Sequence, residues 1–272
     1  MASTFIPSRF IRLSCIRITL ALTLLFCINS QADTLNVAVA SNFLSTAQTL
    51  KEQFEQSTEH SVKIISASTG QLSHQIANGA PFDVFLAANK QHPTALQQQL
   101  KLPAENIKPY ALGKLVFLSH SPLYAKNAKS NPGFNSQALK QFLTAASTKR
   151  IAIANKKLAP YGQASVEVLE RLQLSSSIKS KLITGQNISQ AFQFFQSGNT
   201  HGAFVASALL TPHVLKQNPD IIITDIPLSL HNPIEQYALL LTASTSAKAF
   251  YEYLLSDKAQ QLIEQHGYGH DL

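Results

Sequence analysis

The sequence predicts an α/β protein of two lobes, and three observations carry that expectation. Strand-like and helix-like stretches alternate with short turns from Asp33 onward, which is the pattern of β-α-β units building a parallel sheet with helices on both faces. The alternation breaks between Pro109 and Asn135, and a second series of the same kind follows. Residues 33 to 272 are also enough chain for one large domain or two lobes with real cores. The predicted boundaries are an N-terminal segment at 1–32, a first lobe at 33–112 plus 226–272, and a second lobe at 113–225.

The elements follow in order. Leu35 to Ala40 reads as a strand, and Phe43, Ala47, Leu50 and Phe54 then place one apolar stripe on a helix. Val62 to Ile65 is a second strand, Leu72 to Ile76 a short helix ending at Asn78-Gly79, and Asp83 to Ala87 a buried strand. A helix at Pro93 to Leu100 precedes the break, where Leu115 to Leu118 is a strand and Pro122 to Asn135 a polar connection. The second series has helices near Gln137 to Ala145, Gly162 to Leu172 and Ile188 to Gln196. Its strands are Ile151 to Ala154, Leu182-Ile183, Ala203 to Val205 and Ile221 to Ile223. Tyr237 to Leu241 is a further strand, and helices at Thr245 to Leu255 and Lys258 to His266 close the chain.

The first 32 residues have the build of a cleaved export signal: Arg9, Arg12 and Arg17 without an acidic residue, an apolar run from Ile18 to Ile28, and Ser30-Gln31-Ala32 before Asp33. Phe26 before Cys27 argues against a lipoprotein site, and the expected location is the periplasm. Both cysteines, Cys15 and Cys27, lie in that segment, so the exported chain has neither a thiolate nucleophile nor a disulfide. Without the three arginines, 19 basic residues face 15 acidic ones. They are scattered with no aromatic-interleaved stripe, which excludes nucleic acid as a partner.

Strand-to-helix turns carry the functional signal. Ala40 runs into Ser41-Asn42, and Ala67 into Ser68-Thr69-Gly70. A helix start offers unpaired N–H groups and the positive end of a dipole, so it suits an anion. Neither turn contains Lys or Arg, which points to an oxyanion held by neutral donors. Ser, Thr and Asn are also the ordinary capping residues, so either turn alone fits a plain cap. Two more such turns, Pro160-Tyr161-Gly162 and Gly185-Gln186-Asn187-Ile188, lie in the second series. Four turns at strand ends, two per lobe, can converge on one interlobe cleft.

At this point the chain resembles the family of periplasmic molybdate-binding proteins, the substrate-binding subunits of molybdate ABC importers. The resemblance rests on Ala38-Val39-Ala40-Ser41, on Ala67 to Leu72, and on Gln75 through Gly79-Ala80-Pro81-Phe82-Asp83 to Phe85. It extends through Pro160-Tyr161-Gly162-Gln163-Ala164, Gly198-Asn199 with Gly202 to Val205, Ala249 to Leu254, and Gly267-Tyr268. It implies a type II-like periplasmic binding protein fold with the ligand in the interlobe cleft. It also implies a monomer that takes molybdate or tungstate, needs no cofactor, and hands its ligand to a membrane permease. The implied anion-binding residues are Ser41, Asn42, Thr69, Tyr161 and Ile188, with no direct cation ligand. Thr69 stands where the family usually has serine, and Ala206 where many members have a tyrosine hydroxyl, which gives Asn42 a direct role.

A donor-only site suits molybdate, tungstate and sulfate, whose oxygens all accept, and disfavours hydrogenphosphate, whose proton needs a buried acceptor. Sulfate or another tetrahedral anion is therefore the alternative ligand, and an exported enzyme on the same scaffold a third reading. No Gly-x-Ser-x-Gly elbow is present, the nine histidines show no ligand spacing, and Asp83 reads as a local structural partner. The chain is expected not to be an enzyme.

Overall fold

The computed structural model describes residues 34–120 and 134–269; the expected export signal and most of the Pro122 to Asn135 connection lie outside them. The first sheet runs in the order β2-β1-β3-β10-β4. Its strands are β1 (Thr34–Ala40), β2 (Ser61–Ala67), β3 (Val84–Ala87), β4 (Ile107–Gly113) and β10 (Ile234–Leu240). The second runs β7-β6-β8-β5-β9. It comprises β5 (Leu115–Ser119), β6 (Ile151–Ala154), β7 (Leu182–Gly185), β8 (Gly202–Ala206) and β9 (Ile222–Asp225).

Each sheet is mixed rather than parallel as expected. β1 pairs in parallel with β2 and β3, and β6 with β7 and β8, as β-α-β units require. β10 is antiparallel to β3 and β4, and β5 is antiparallel to β8 and β9. The reversal follows from the connections. The strands β5 and β10 arrive directly from the other lobe instead of through a crossover helix. The chain passes from one sheet to the other at Lys114 and returns between Asp225 and Ile234.

Helices cover both faces. In the first lobe they are α1 (Leu44–Ser57), α2 (Thr69–Ala77), α3 (Gln91–Gln99), α8 (Thr245–Leu254) and α9 (Asp257–Gln265). In the second they are α4 (Ser136–Thr144), α5 (Pro160–Arg171), α6 (Ile188–Gln196) and α7 (Pro212–Gln217). The stripe read from the sequence is the buried face of α1, with Ala47, Leu50 and Phe54 inside and Phe54 edge-on to Phe250 at 5.3 Å. Burial of side chains of this size is the main source of stability, about 1.5–3 kcal/mol each. Leu72, Phe85, Leu96 and Leu239 fill the opposite face of the same sheet. The second lobe has its own core around Phe117, Phe195 and Phe204, and Ala40, Ala88 and Ile234 from the first lobe pack into it.

Asp83 is structural, as its sequence context suggested. Its carboxylate accepts from the Asn36 N–H and the Thr242 hydroxyl, both at 2.8 Å, tying β1 to the segment after β10.

Candidate ligand-binding site

Strand register brings the first two turns together. Ala40 pairs with Ala67, so Ser41 and Ser68 leave adjacent strand ends at the same level. In the second lobe Ala154 pairs with Gly185 in the same way. Hydrogen bonds then join the lobes turn to turn. Gly70 N–H donates to Leu158 O at 2.8 Å, just before α5, and the Ser189 hydroxyl of α6 donates to Ser41 O at 3.0 Å. Two cavities flank these contacts. One, of about 420 Å³, includes Asn89, His92, Lys157, Leu158 and Pro160; the other, of about 240 Å³, includes Ser41, Ser66, Asn187 and Ser189.

In each turn, local bonding leaves a particular N–H over. At α2, Ser68 is the cap in a capping box with Gln71, and Gly70 N–H reaches across the lobes. Thr69, at the first helical position, has no acceptor within the helix. Its hydroxyl oxygen accepts from Ala88 N–H at 3.1 Å, which leaves the hydroxyl proton to point elsewhere. At α5, Pro160 has no N–H, while Gly162 and Gln163 both donate to Ala159 O. Tyr161 N–H is left over. The sequence starts this helix at Gly162; the structure starts it at Pro160, because proline fits the first helical position. At α6, Asn187 caps Gln190 N–H at 2.9 Å, leaving Ile188 N–H without an intrahelical acceptor.

The first turn departs from expectation. Ser41 and Asn42 do not cap α1; with Phe43 they form a 3₁₀ turn of their own, and no side-chain cap bond is made. The Ser41 hydroxyl is thereby free of capping duty. The Asn42 amide is not: its nitrogen donates to Gln236 Oε1 and to the Tyr268 hydroxyl oxygen, both at 3.0 Å. Tyr268 in turn donates to Asn42 O at 2.9 Å, so its oxygen can only accept from the Asn42 side chain, which fixes the amide's orientation. Both amide hydrogens are thus engaged, and the donor Asn42 has left is its backbone N–H. Ala206 ends β8 fully buried opposite Leu115, beside the crossing at Lys114.

Two tyrosines flank this turn. Phe43 meets Tyr110 at 4.9 Å and Tyr268 at 5.2 Å between ring centroids. Burial pushes the hydroxyl pKa of Tyr110, Tyr161 and Tyr268 upward, so all three stay protonated and uncharged.

His92 stands at the interlobe seam, with its Nδ1 3.0 Å from Asn89 Oδ1, and burial lowers its pKa. Burial lowers that of His266 as well. Both take up protons more readily when unfolded, so they favour the folded state above their ordinary pKa of about 6.5 and that stability is lost on acidification below it. The melting temperature should fall between pH 7 and pH 5, and His92→Gln should flatten part of that decline. An unchanged profile in the variant would assign the slope to other groups.

Two α/β lobes joined by crossing strands, with donor turns bonded across the seam, define a solute-binding protein. The model of the bacterial extracellular solute-binding protein family matches residues 35–269, and the chain belongs to that family. It is 37% identical to the molybdate-binding protein ModA of Azotobacter vinelandii over 88% of this chain and 91% of that one. Identity to the molybdate-binding protein ModA of Rhodobacter capsulatus is 33%, over 92% and 93% respectively. The solved structure of the periplasmic molybdate-binding protein of Azotobacter vinelandii superposes with a TM-score of 0.76 at 30% identity, over 88% of this chain and all of that one. The sulfate-binding protein SubI of Mycobacterium tuberculosis, at TM-score 0.64 and 12% identity, shares the fold.

Proposed function

We propose that this protein captures molybdate, and tungstate with it, in the interlobe cleft and delivers it to the membrane permease of an ABC importer. The carrying observation is that each lobe contributes two helix starts with a leftover N–H, bonded in pairs across the seam, and the residues that offer those donors are all uncharged. Ser41, Asn42, Thr69, Tyr161 and Ile188 are the proposed donors, with Asn42 acting through its backbone. Two relatives, 37% and 33% identical over 88% and 92% of this chain, bear the name molybdate-binding protein, which supports the same ligand. No cofactor and no catalytic step enter this reading. The protein is proposed to act as a monomer. The basic, apolar leader at 1–32 supports delivery to the periplasm.

The test is a thermal melt with molybdate, tungstate, sulfate and phosphate in turn. A ligand at roughly 100 times its Kd adds about 2.7 kcal/mol, on the order of 5 to 10 °C for a chain this size. A shift with molybdate and tungstate alone is expected. A shift with sulfate and not molybdate would replace the substrate, and no shift with any anion would sink the oxyanion reading. Ser41→Ala should weaken molybdate about tenfold to a hundredfold, as the loss of a hydrogen bond to a charged group does.

A further inference from the structure

Tyr161 has a second feature that its proposed backbone role leaves unexplained. Its side chain is 1% exposed, and its hydroxyl has no hydrogen-bond partner among the described residues. The Tyr110 hydroxyl is buried and unpartnered in the same way. Buried hydroxyls are normally paired, and leaving one unpaired costs about 1–3 kcal/mol, so two of them call for a physical reason.

The position of the Tyr161 hydroxyl supplies one. A side chain at Gly113 would place its Cβ 2.2 Å from the Tyr161 oxygen and 2.8 Å from Gln236 Nε2. Tyr161 belongs to α5 of the second lobe, whereas Gly113 ends β4 and Gln236 lies in β10, antiparallel neighbours in the first sheet. A ring from one lobe is therefore seated in a socket of the other, at the two strands through which the chain crosses. The socket connects to the binding turn: Gln236 Oε1 accepts from Asn42, and Gln236 Nε2 donates to Ile234 O at 3.1 Å. The register of β10 against β4 shifts between Gln236 and Tyr237, the irregularity at which this buried glutamine is accommodated.

We infer that Tyr161 is an interlobe latch, a positioning residue whose ring enters the Gly113–Gln236 socket only when the lobes close. The same residue offers its N–H to the cleft, so seating the ring and presenting that donor are one movement. The glycine at 113 is required by the seated oxygen, since any Cβ would occupy its place. The unpaired hydroxyl makes the seated state costly on its own, which keeps closure dependent on what fills the cleft. The inference deepens the proposed anion-binding role and rests on it.

The experiment is a double-mutant cycle of Gly113→Ala and Tyr161→Leu, read by calorimetric titration with molybdate and by small-angle scattering with and without it. Each single variant should bind molybdate about tenfold to a hundredfold more weakly, as overpacking and lost packing of this size do. The double variant should be no weaker than the worse single, because both changes unseat the same latch. Losses that multiply, or wild-type binding by Gly113→Ala, would overturn the latch. Scattering separates it from the ligand assignment. If the wild type binds no molybdate, the functional reading fails. The latch is then read with whichever of tungstate, sulfate and phosphate compacts the wild type, and Gly113→Ala should compact less with that anion. Equal compaction of Gly113→Ala and the wild type, or a wild type that compacts with none of the four anions, would overturn it. Tyr161→Phe, which keeps the ring, provides a fold-preserving check: it should still compact with molybdate, whereas Tyr161→Leu should compact less. Equal compaction of the two would also overturn the latch.

Discussion

Gly162→Ala is expected to destabilise the protein by about 3 kcal/mol, near the upper end for overpacking, and so to lower its melting temperature by about 6 to 12 °C. An alanine Cβ at this position would lie 2.4 Å from Ala154 O and 2.7 Å from Ala154 C, with Asn155 C at 2.9 Å. All three are backbone atoms at the end of β6, so no rotamer change can relieve the contact. The helix start would have to lift off the strand it is packed against. Helix propensity alone argues the other way, since alanine is favoured over glycine in a helix by roughly 0.5–1 kcal/mol. The backbone collision is several times larger and decides the sign. Lifting the first turn of α5 also displaces Tyr161 N–H, so affinity for the anion should fall with stability. A melt by circular dichroism settles it: a variant as stable as the wild type would mean that α5 can slide without cost, and the close-approach argument would be wrong.

That glycine was visible in the sequence only as part of a turn, and it marks where sequence reasoning stops. Periodicity made α1 legible through Phe43, Ala47, Leu50 and Phe54, and β-branched or small apolar runs made β1, β2, β3 and β6 legible. Strand β4 was not, because Lys108 and Pro109 interrupt an extended stretch that pairing with β10 and a bridge from Leu112 to Gly269 stabilise. The short helix α7 at Pro212–Gln217 was missed for lack of a buried face: none of its residues is buried. Ser41 and Asn42 looked like caps because of their residue types. The structure engages Asn42 with Gln236 and Tyr268, residues about 200 positions away, and no local pattern encodes that. One signal was available. Gln236 shares the buried face of β10 with Ile234, two residues back and opposite the charged Glu235, and an uncharged amide on that face asks for a specific partner. The turns were legible as donors, but which N–H each leaves over depends on Ala159, Asn187 and Leu158 accepting or capping the neighbours.

The dependence of Gly70 on Leu158 leads to a different kind of prediction, because these residues belong to different lobes. In Gly70→Ala the new Cβ would stand 3.1 Å from Leu158 Cα and 3.2 Å from Leu158 O. That is a tight contact rather than a collision, and it can be relieved by separating the lobes a few tenths of an ångström. Separation would stretch the Gly70 N–H bond to Leu158 O, now 2.8 Å. Only the closed form feels this cost, whereas the gain of alanine over glycine in α2, about 0.5–1 kcal/mol, is present in every folded form. The two effects therefore separate by experiment. Without anion, the variant should melt at or slightly above the wild-type temperature. With molybdate, its affinity should drop about tenfold, the equivalent of some 1.4 kcal/mol lost from closure. Gly162→Ala should lose stability and affinity together, whereas Gly70→Ala should lose affinity alone. If Gly70→Ala instead destabilises the anion-free protein as much as it weakens binding, the seam is shut in both states. Closure would then have to be dropped from the mechanism, leaving a fixed site whose selectivity resides in the donor turns themselves.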